Sequence, residues 1–140
     1  MSPLPPYESF PVRSFDKLRY GDTDRQGHVN NAVFATFFET GRCEFLLDPA
    51  GPLLAPGQSF VLARLEIDLL AEITWPGTVE IGTRVSRIGR SSIGIEQGLW
   101  QRGVAAARAV SVVVATDDTT RRSTPLSAAA IDRLKALGGA

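Results

Sequence analysis

The chain has 140 residues, 44% hydrophobic and 21% charged, and its 15 Lys and Arg balance 15 Asp and Glu to a formal net charge of zero. That length fits a single domain, residues 1–140, able to bury roughly 65–70% of its unfolded surface. Charge neutrality argues against a general nucleic-acid or polyanion binder, while leaving room for a local basic patch that meets a phosphate. The lone cysteine, Cys43, excludes an internal disulfide. With the lone histidine, His28, it cannot build a Cys/His zinc site within one chain. The Pro-rich start lacks the basic stretch and apolar core of a signal peptide, and no apolar run approaches the ~20 residues of a membrane helix. A soluble, cytoplasmic protein is the expectation.

Pro3, Pro5, Pro6 and Pro11 make residues 1–13 an extended, irregular lead-in. FDKLR (15–19) alternates apolar and polar residues and reads as a short strand. Residues 20–29 are a loop rich in turn formers. NNAVFATFFETGRCEFLL (30–47) is the clearest helix: Asn30 or Asn31 can cap it, and Val33, Phe34, Phe37, Phe38, Gly41 and Phe45 recur at helical spacing. Small residues behind that face predict packing around most of the circumference. Gly41 costs roughly 1 kcal/mol against Ala in a helix interior, which predicts close approach of another backbone.

Residues 48–57 form a loop. In 60–70, Val61, Ala63, Leu65, Ile67 and Leu69 alternate with Arg64, Glu66 and Asp68, so a half-buried strand is expected with the first set inward. Further strands are read at 79–88, 93–101 and 104–116, with a turn at 74–78, a tight connection at 89–92 and a hairpin at Arg102-Gly103. The tail, 117–140, is polar at first and then carries a possible short helix over 127–138. Long consecutive strands favour an antiparallel sheet, which buries its apolar face most simply by curling around the one strongly apolar helix.

The segment from Asp22 to Asn31 (DTDRQGHVNN) places two carboxylates, one imidazole and two carboxamides just ahead of the helix. A helix start offers unpaired N–H groups and partial positive charge, which suit an anion or a developing oxyanion. A carboxylate opposite such donors is the arrangement that hydrolyses an activated acyl group. Loop and cap chemistry alone explains any one of these residues, but not the whole cluster. The run also mimics the first half of a calcium-binding EF-hand loop, yet the twelfth position, a bidentate Glu in that motif, is Val33 here.

The string RYGDTDRQGHVNNAVFATFFETGR resembles the signature of the 4-hydroxybenzoyl-CoA thioesterase family of hotdog proteins, and the similarity extends over roughly residues 13–125. It implies an α+β hotdog fold, a five-stranded antiparallel sheet wrapped around one long central helix. It also implies hydrolysis of an acyl-CoA to a free acid and CoA. By that resemblance Asp24 is the catalytic carboxylate, as nucleophile or general base. The backbone N–H near Asn31 holds the carbonyl oxygen, and His28 positions substrate. Asp22 more simply fixes the loop. No metal or organic cofactor is expected, CoA being part of the substrate. A homodimer or a dimer of dimers is expected, with sites between subunits, since a lone chain leaves a sheet edge and face open.

Arg90, Ser91 and Ser92 can be read as a clamp for CoA phosphate or as a solvated turn. Glu39 is the alternative catalytic carboxylate, with Arg42 as a possible partner, because a carboxylate on a mostly buried helix needs one. Trp75 and Trp100 could line an interface, a pocket or the core. A non-catalytic acyl-CoA or acyl-carrier binding module is the competing function. An enoyl-CoA hydratase is a weaker one: it separates its Asp and His by four residues, whereas Asp24 and His28 have three between them.

Overall fold

Five strands form one antiparallel sheet in the computed structural model, which describes residues 3–138. They are β1 (Val12–Lys17), β2 (Gln58–Leu69), β3 (Thr78–Ile88), β4 (Ser92–Gln101) and β5 (Val104–Asp117). Their order across the sheet is β1-β3-β4-β5-β2. β3, β4 and β5 follow as hairpins. At the β4–β5 turn Arg102 and Gly103 both take positive φ (51° and 78°), a two-residue connection whose twist suits the flanking strands. Helix α1 (Asn31–Leu46) precedes β2, and the chain then returns along the far edge, so that β2 pairs only with β5.

The five-stranded antiparallel sheet is as expected, and so is a short helix in the tail; two helices thus accompany the sheet where one long central helix was expected. α1 is 16 residues long, and α2 (Ala128–Lys135) follows β5. Asn30 caps α1, its side chain accepting the Ala32 N–H at 3.0 Å. Ser127 caps α2 in the same way through the Ala130 N–H. α2 has few turns of its own; it is held by burying Ala130 and Leu134 in a cluster with Phe45, Leu53, Ile93 and Ile95. A second cluster joins Phe34, Phe37 and Phe38 of α1 to Val79, Ile81 and Leu99 of the sheet. Each fully buried Phe here contributes about 2–3 kcal/mol.

Gly41 is indeed a close approach, but of side chains rather than backbone. A Cβ there would lie 2.6 Å from Ile81 Cγ2 and 3.0 Å from both Gln97 Nε2 and Thr83 Oγ1. Gln97 in turn donates to the Phe38 carbonyl at 2.9 Å and to Thr83 Oγ1 at 3.0 Å, tying helix to sheet.

Three sequence expectations shift. β1 starts at Val12, inside the supposed lead-in, and pairs with β3 from Val12↔Thr83 to Lys17↔Thr78. Pro11, without an N–H, sits just outside the ladder. In β2 the pairing slips between Leu62 and Arg64, leaving Ala63 as a bulge. Phe60 and Leu62 therefore share the helix-side face with Leu65, Ile67 and Leu69, opposite the buried Ala115, Val113, Ser111, Ala109 and Ala107, while Val61 and Ala63 turn outward. Strict alternation had grouped them the other way. Finally, the lead-in is not idle. Tyr7–Ser9 make a 3-10 turn, and the rings of Tyr7 and Phe10 pack edge-on against Trp100 at 5.5 and 5.6 Å. Phe10 lies on Gly82, and at Gly98 a Cβ would run into the Trp100 ring and meet Leu4 at 3.0 Å, so both positions have no room for a side chain. The outer face of the sheet is flat there because its glycines leave room for the segment.

Candidate active site

The acidic loop is built by its own side chains. Tyr20–Asp22 form a 3-10 turn in which the Asp22 carboxylate accepts the Arg19 N–H at 2.9 Å and pairs with the Arg19 guanidinium at 3.1 Å. The Asp22 carbonyl accepts the Asn30 N–H at 2.8 Å. Asp22 is buried, and all these contacts hold the loop ends together. Between them, Asp24 N–H donates to the His28 carbonyl at 2.8 Å, and Gly27 turns the chain at φ 80°. Val29 N–H then donates to the Ile73 carbonyl at 2.8 Å, docking the loop on the segment between β2 and β3.

Asp24 itself is exposed. Its Oδ1 accepts the backbone N–H of Gln26 at 2.8 Å and of His28 at 3.3 Å, an Asx turn. Asp24, His28, Asn31 and Phe34 line one cavity of about 390 Å³ with Leu69, Leu70 and Glu72. At the start of α1 the Ala32 N–H is taken by the Asn30 side chain and the Val33 N–H by the Asn30 carbonyl. The Asn31 N–H makes no hydrogen bond among the described residues. The cavity thus combines a carboxylate, an imidazole and the positive end of a helix, with an apolar wall from Phe34 and Leu69.

His28 Nε2 lies 3.1 Å from Glu72 Oε2. Sequence reasoning missed Glu72. It stands alone between two strands, in no motif, and only the docking of the loop on residues 73–74 brings it near.

The other candidate residues lie elsewhere. Glu39 is exposed on α1 and lines a different cavity. The buried ion of that helix is Arg42, 5% exposed, and the two form no ion pair. The roles expected of them are reversed, because Arg42 rather than Glu39 follows Gly41 and Phe45 onto the sheet-facing side. Arg90 and Ser91 sit in the β3–β4 connection and Ser92 opens β4; the carbonyls of all three accept backbone N–H groups: Leu126 to Arg90, Ala115 to Ser91 and Gly89 to Ser92, each at 2.8 Å. The connection is at the opposite end of β3 from the loop, roughly 30 Å away at strand rise. Within one chain it does not meet Asp24. Trp100 is core, under the N-terminal segment, whereas Trp75 is half exposed and packs edge-on against Tyr20 at 5.4 Å.

A five-stranded antiparallel sheet carrying a helix whose start faces an acidic loop is the architecture of hotdog-fold thioesterases. A sequence profile of the Thioesterase superfamily matches residues 26–108, and the chain belongs to that superfamily, a group of thioester hydrolases. The acyl-CoA thioesterase YbgC of Haemophilus influenzae is 32% identical over 113 residues, covering 78% of this chain and 80% of that protein. A thioesterase from Thermus thermophilus, solved with coenzyme A and zinc, is 34% identical, with a TM-score of 0.77 over 93% of this chain and 96% of that one. The PA5185 protein of Pseudomonas aeruginosa is 28% identical, with a TM-score of 0.85 and 96% coverage of both chains.

Proposed function

We propose that the protein hydrolyses an acyl-CoA thioester to a free carboxylic acid and CoA at the cavity between Asp24 and the start of α1. One observation carries this reading: Asp24 and Asn31 line the same cavity, with the Asn31 N–H unengaged. As general base, Asp24 takes a proton from water while the water oxygen bonds to the thioester carbon. The carbonyl oxygen becomes an oxyanion facing the Asn31 N–H and the helix dipole. Collapse of that intermediate breaks the C–S bond, and the CoA sulfur leaves with a proton. As nucleophile, Asp24 bonds to the carbonyl carbon directly, the C–S bond breaks and the CoA thiolate leaves to take a proton from solvent, and water then cleaves the acyl-aspartyl anhydride to the free acid and the regenerated carboxylate. In both routes His28, held by Glu72, orients substrate, and the chain needs neither metal nor organic cofactor.

A homodimer, alone or paired again, completes the site. β2 is an edge strand that leaves Val61, Leu62, Leu69 and Leu70 half exposed, an apolar edge suited to a second copy. A second copy also offers the means to bring an Arg90-Ser91-Ser92 connection to the CoA phosphates of a neighbouring site. Among the described residues no helix is long and apolar enough to cross a membrane, and the free thiol of Cys43 fits a reducing cytoplasm.

The deciding experiment measures CoA release from short, medium, long and aromatic acyl-CoAs, with Asp24→Asn in parallel. Turnover of at least one thioester and its loss by about a hundredfold in the variant supports the reading. Binding of CoA esters without turnover makes the protein a binding module instead.

A further inference from the structure

We propose that Gln101, at the end of β4, is a positioning residue that sets the His28–Glu72 pair through Thr74. Between β2 and β3 run Glu72, Ile73 and Thr74, and the acidic loop docks along one side of them. Val29 N–H donates to the Ile73 carbonyl at 2.8 Å, and His28 bridges Thr74 in antiparallel fashion. On the other side the partner is a side chain. Gln101 Nε2 donates to the Thr74 carbonyl at 2.7 Å, and Gln101 Oε1 accepts the Thr74 N–H at 3.1 Å.

A carboxamide offers an acceptor and a donor side by side, as a peptide unit does. Gln101 thus closes the backbone bonds of Thr74 as a neighbouring strand would, and residues 72–74 become the middle of a three-member ladder. The clamp is shielded: Gln101 is 7% exposed, so water competes little for its bonds. It is also fixed from behind. Gln101 pairs with Val104 across the β4–β5 hairpin, and the Trp100 ring next to it lies under Tyr7 and Phe10. Glu72 stands two residues before Thr74 and reaches His28 Nε2 at 3.1 Å. A largely exposed ion pair does not hold its own geometry. The direction of the imidazole therefore depends on where the backbone under Glu72 is held, and Gln101 holds it. Gln101 does not line the hydrolytic cavity, so its effect on substrate passes through Thr74.

The kinetic half of the test rests on the hydrolase reading; the spectroscopic half does not. His28 is the lone histidine of the chain, so its imidazole signals in a proton–nitrogen NMR spectrum are unambiguous. Gln101→Met keeps the length and apolar stem of the side chain and loses both bonds to Thr74. In this variant the His28 signals are expected to move to the positions they take in Glu72→Ala. KM for the best acyl-CoA should rise about tenfold, more than kcat falls. In the Gln101→Met, Glu72→Ala double variant KM should rise no further than in the worse single one, because both changes release the same imidazole. Gln101→Glu keeps the acceptor for the Thr74 N–H and loses the donor. It should shift the signals less and in the same direction, which keeps the test decisive if Gln101→Met does not fold. His28 signals unmoved in the folded variants overturn the proposal, whether or not any thioester is turned over. So do KM effects that multiply in the double variant, or a lowered melting temperature with KM unchanged. Signals that move as expected in a protein without turnover would sink the hydrolase reading and leave the role of Gln101 standing.

Discussion

His28 Nε2 and Glu72 Oε2 lie 3.1 Å apart, joining the acidic loop to the segment that follows β2. Glu72 is largely exposed, so the pair adds only about 0–1 kcal/mol to stability, less in salt. Its effect is on the direction of the imidazole. Glu72→Ala is expected to leave the melting temperature within roughly 3 °C. KM for the best acyl-CoA should rise more than kcat falls. Steady-state kinetics on the variant checks this; a kcat loss as large as that of Asp24→Asn would instead put Glu72 in the chemical step.

Asp24 offers a cleaner separation of charge from structure. Asn at this position keeps the carbonyl oxygen that accepts the Gln26 and His28 N–H groups, and loses only the ionised carboxylate. Asp24→Asn is therefore expected to melt like wild type while losing about a hundredfold or more in kcat. Asp24→Ala should lose as much activity and also some stability, on the order of 1 kcal/mol for the broken turn. Thermal melts beside kinetics distinguish the two variants.

At Gly41 helix propensity and packing oppose each other. Ala is better than Gly in a helix by roughly 1 kcal/mol. Yet the added methyl would sit 2.6 Å from a methyl of Ile81, which is fully buried and cannot swing away. Overpacking costs about 1–3 kcal/mol, and the shift would also disturb the Gln97 bond to the Phe38 carbonyl. Gly41→Ala should therefore be destabilised by about 1 kcal/mol or more in urea unfolding. A stabilised variant would mean that α1 rides more loosely on β3 than these distances state.

Asp117 closes the turn after β5, its carboxylate accepting the N–H groups of Thr119 and Thr120 at 2.9 and 2.8 Å. Those bonds hold its pKa below the ordinary carboxylate value of 3.8, the Thr120 N–H contributing most. The sign is that of a depressed acid. Stability from this turn is fully present above the ordinary value and is lost as pH falls through the lower, folded one. Asp117→Ala should lower the urea midpoint at pH 7 and narrow the gap to wild type at a pH well below 3.8. Parallel unfolding curves at the two pH values read it.

The acidic loop was legible because its residues are consecutive: Asp22 through Asn31 carry their own turn and cap signals, and the bonds that shape the loop fall within it or just before it, apart from the Val29 N–H to the Ile73 carbonyl that docks it. The hairpins of β3 to β5 were legible for the same reason. What escaped depends on partners distant in sequence. Glu72 meets His28 only after the loop docks on residues 73–74. Arg42 reads only as a possible partner for Glu39, yet its place beside Gly41 turns it under the helix while Glu39 stays exposed. Ala63 has no local mark of a bulge, because the slip is set by the register of β5 against both halves of β2. The outer-face Gly82 acquires meaning only with Phe10 laid over it, and Gly98 with the Trp100 ring folded across it beneath Leu4.

One oxygen of Asp24 is fastened to the backbone by the Gln26 and His28 N–H groups before any ligand arrives. The second oxygen inherits its direction from that anchorage. Whatever atom it meets in the cavity, the torsions of the side chain are largely settled when the chain folds. The entropy of ordering this group is a single cost of folding, not one repeated at each encounter, so the loop presents its carboxylate already oriented.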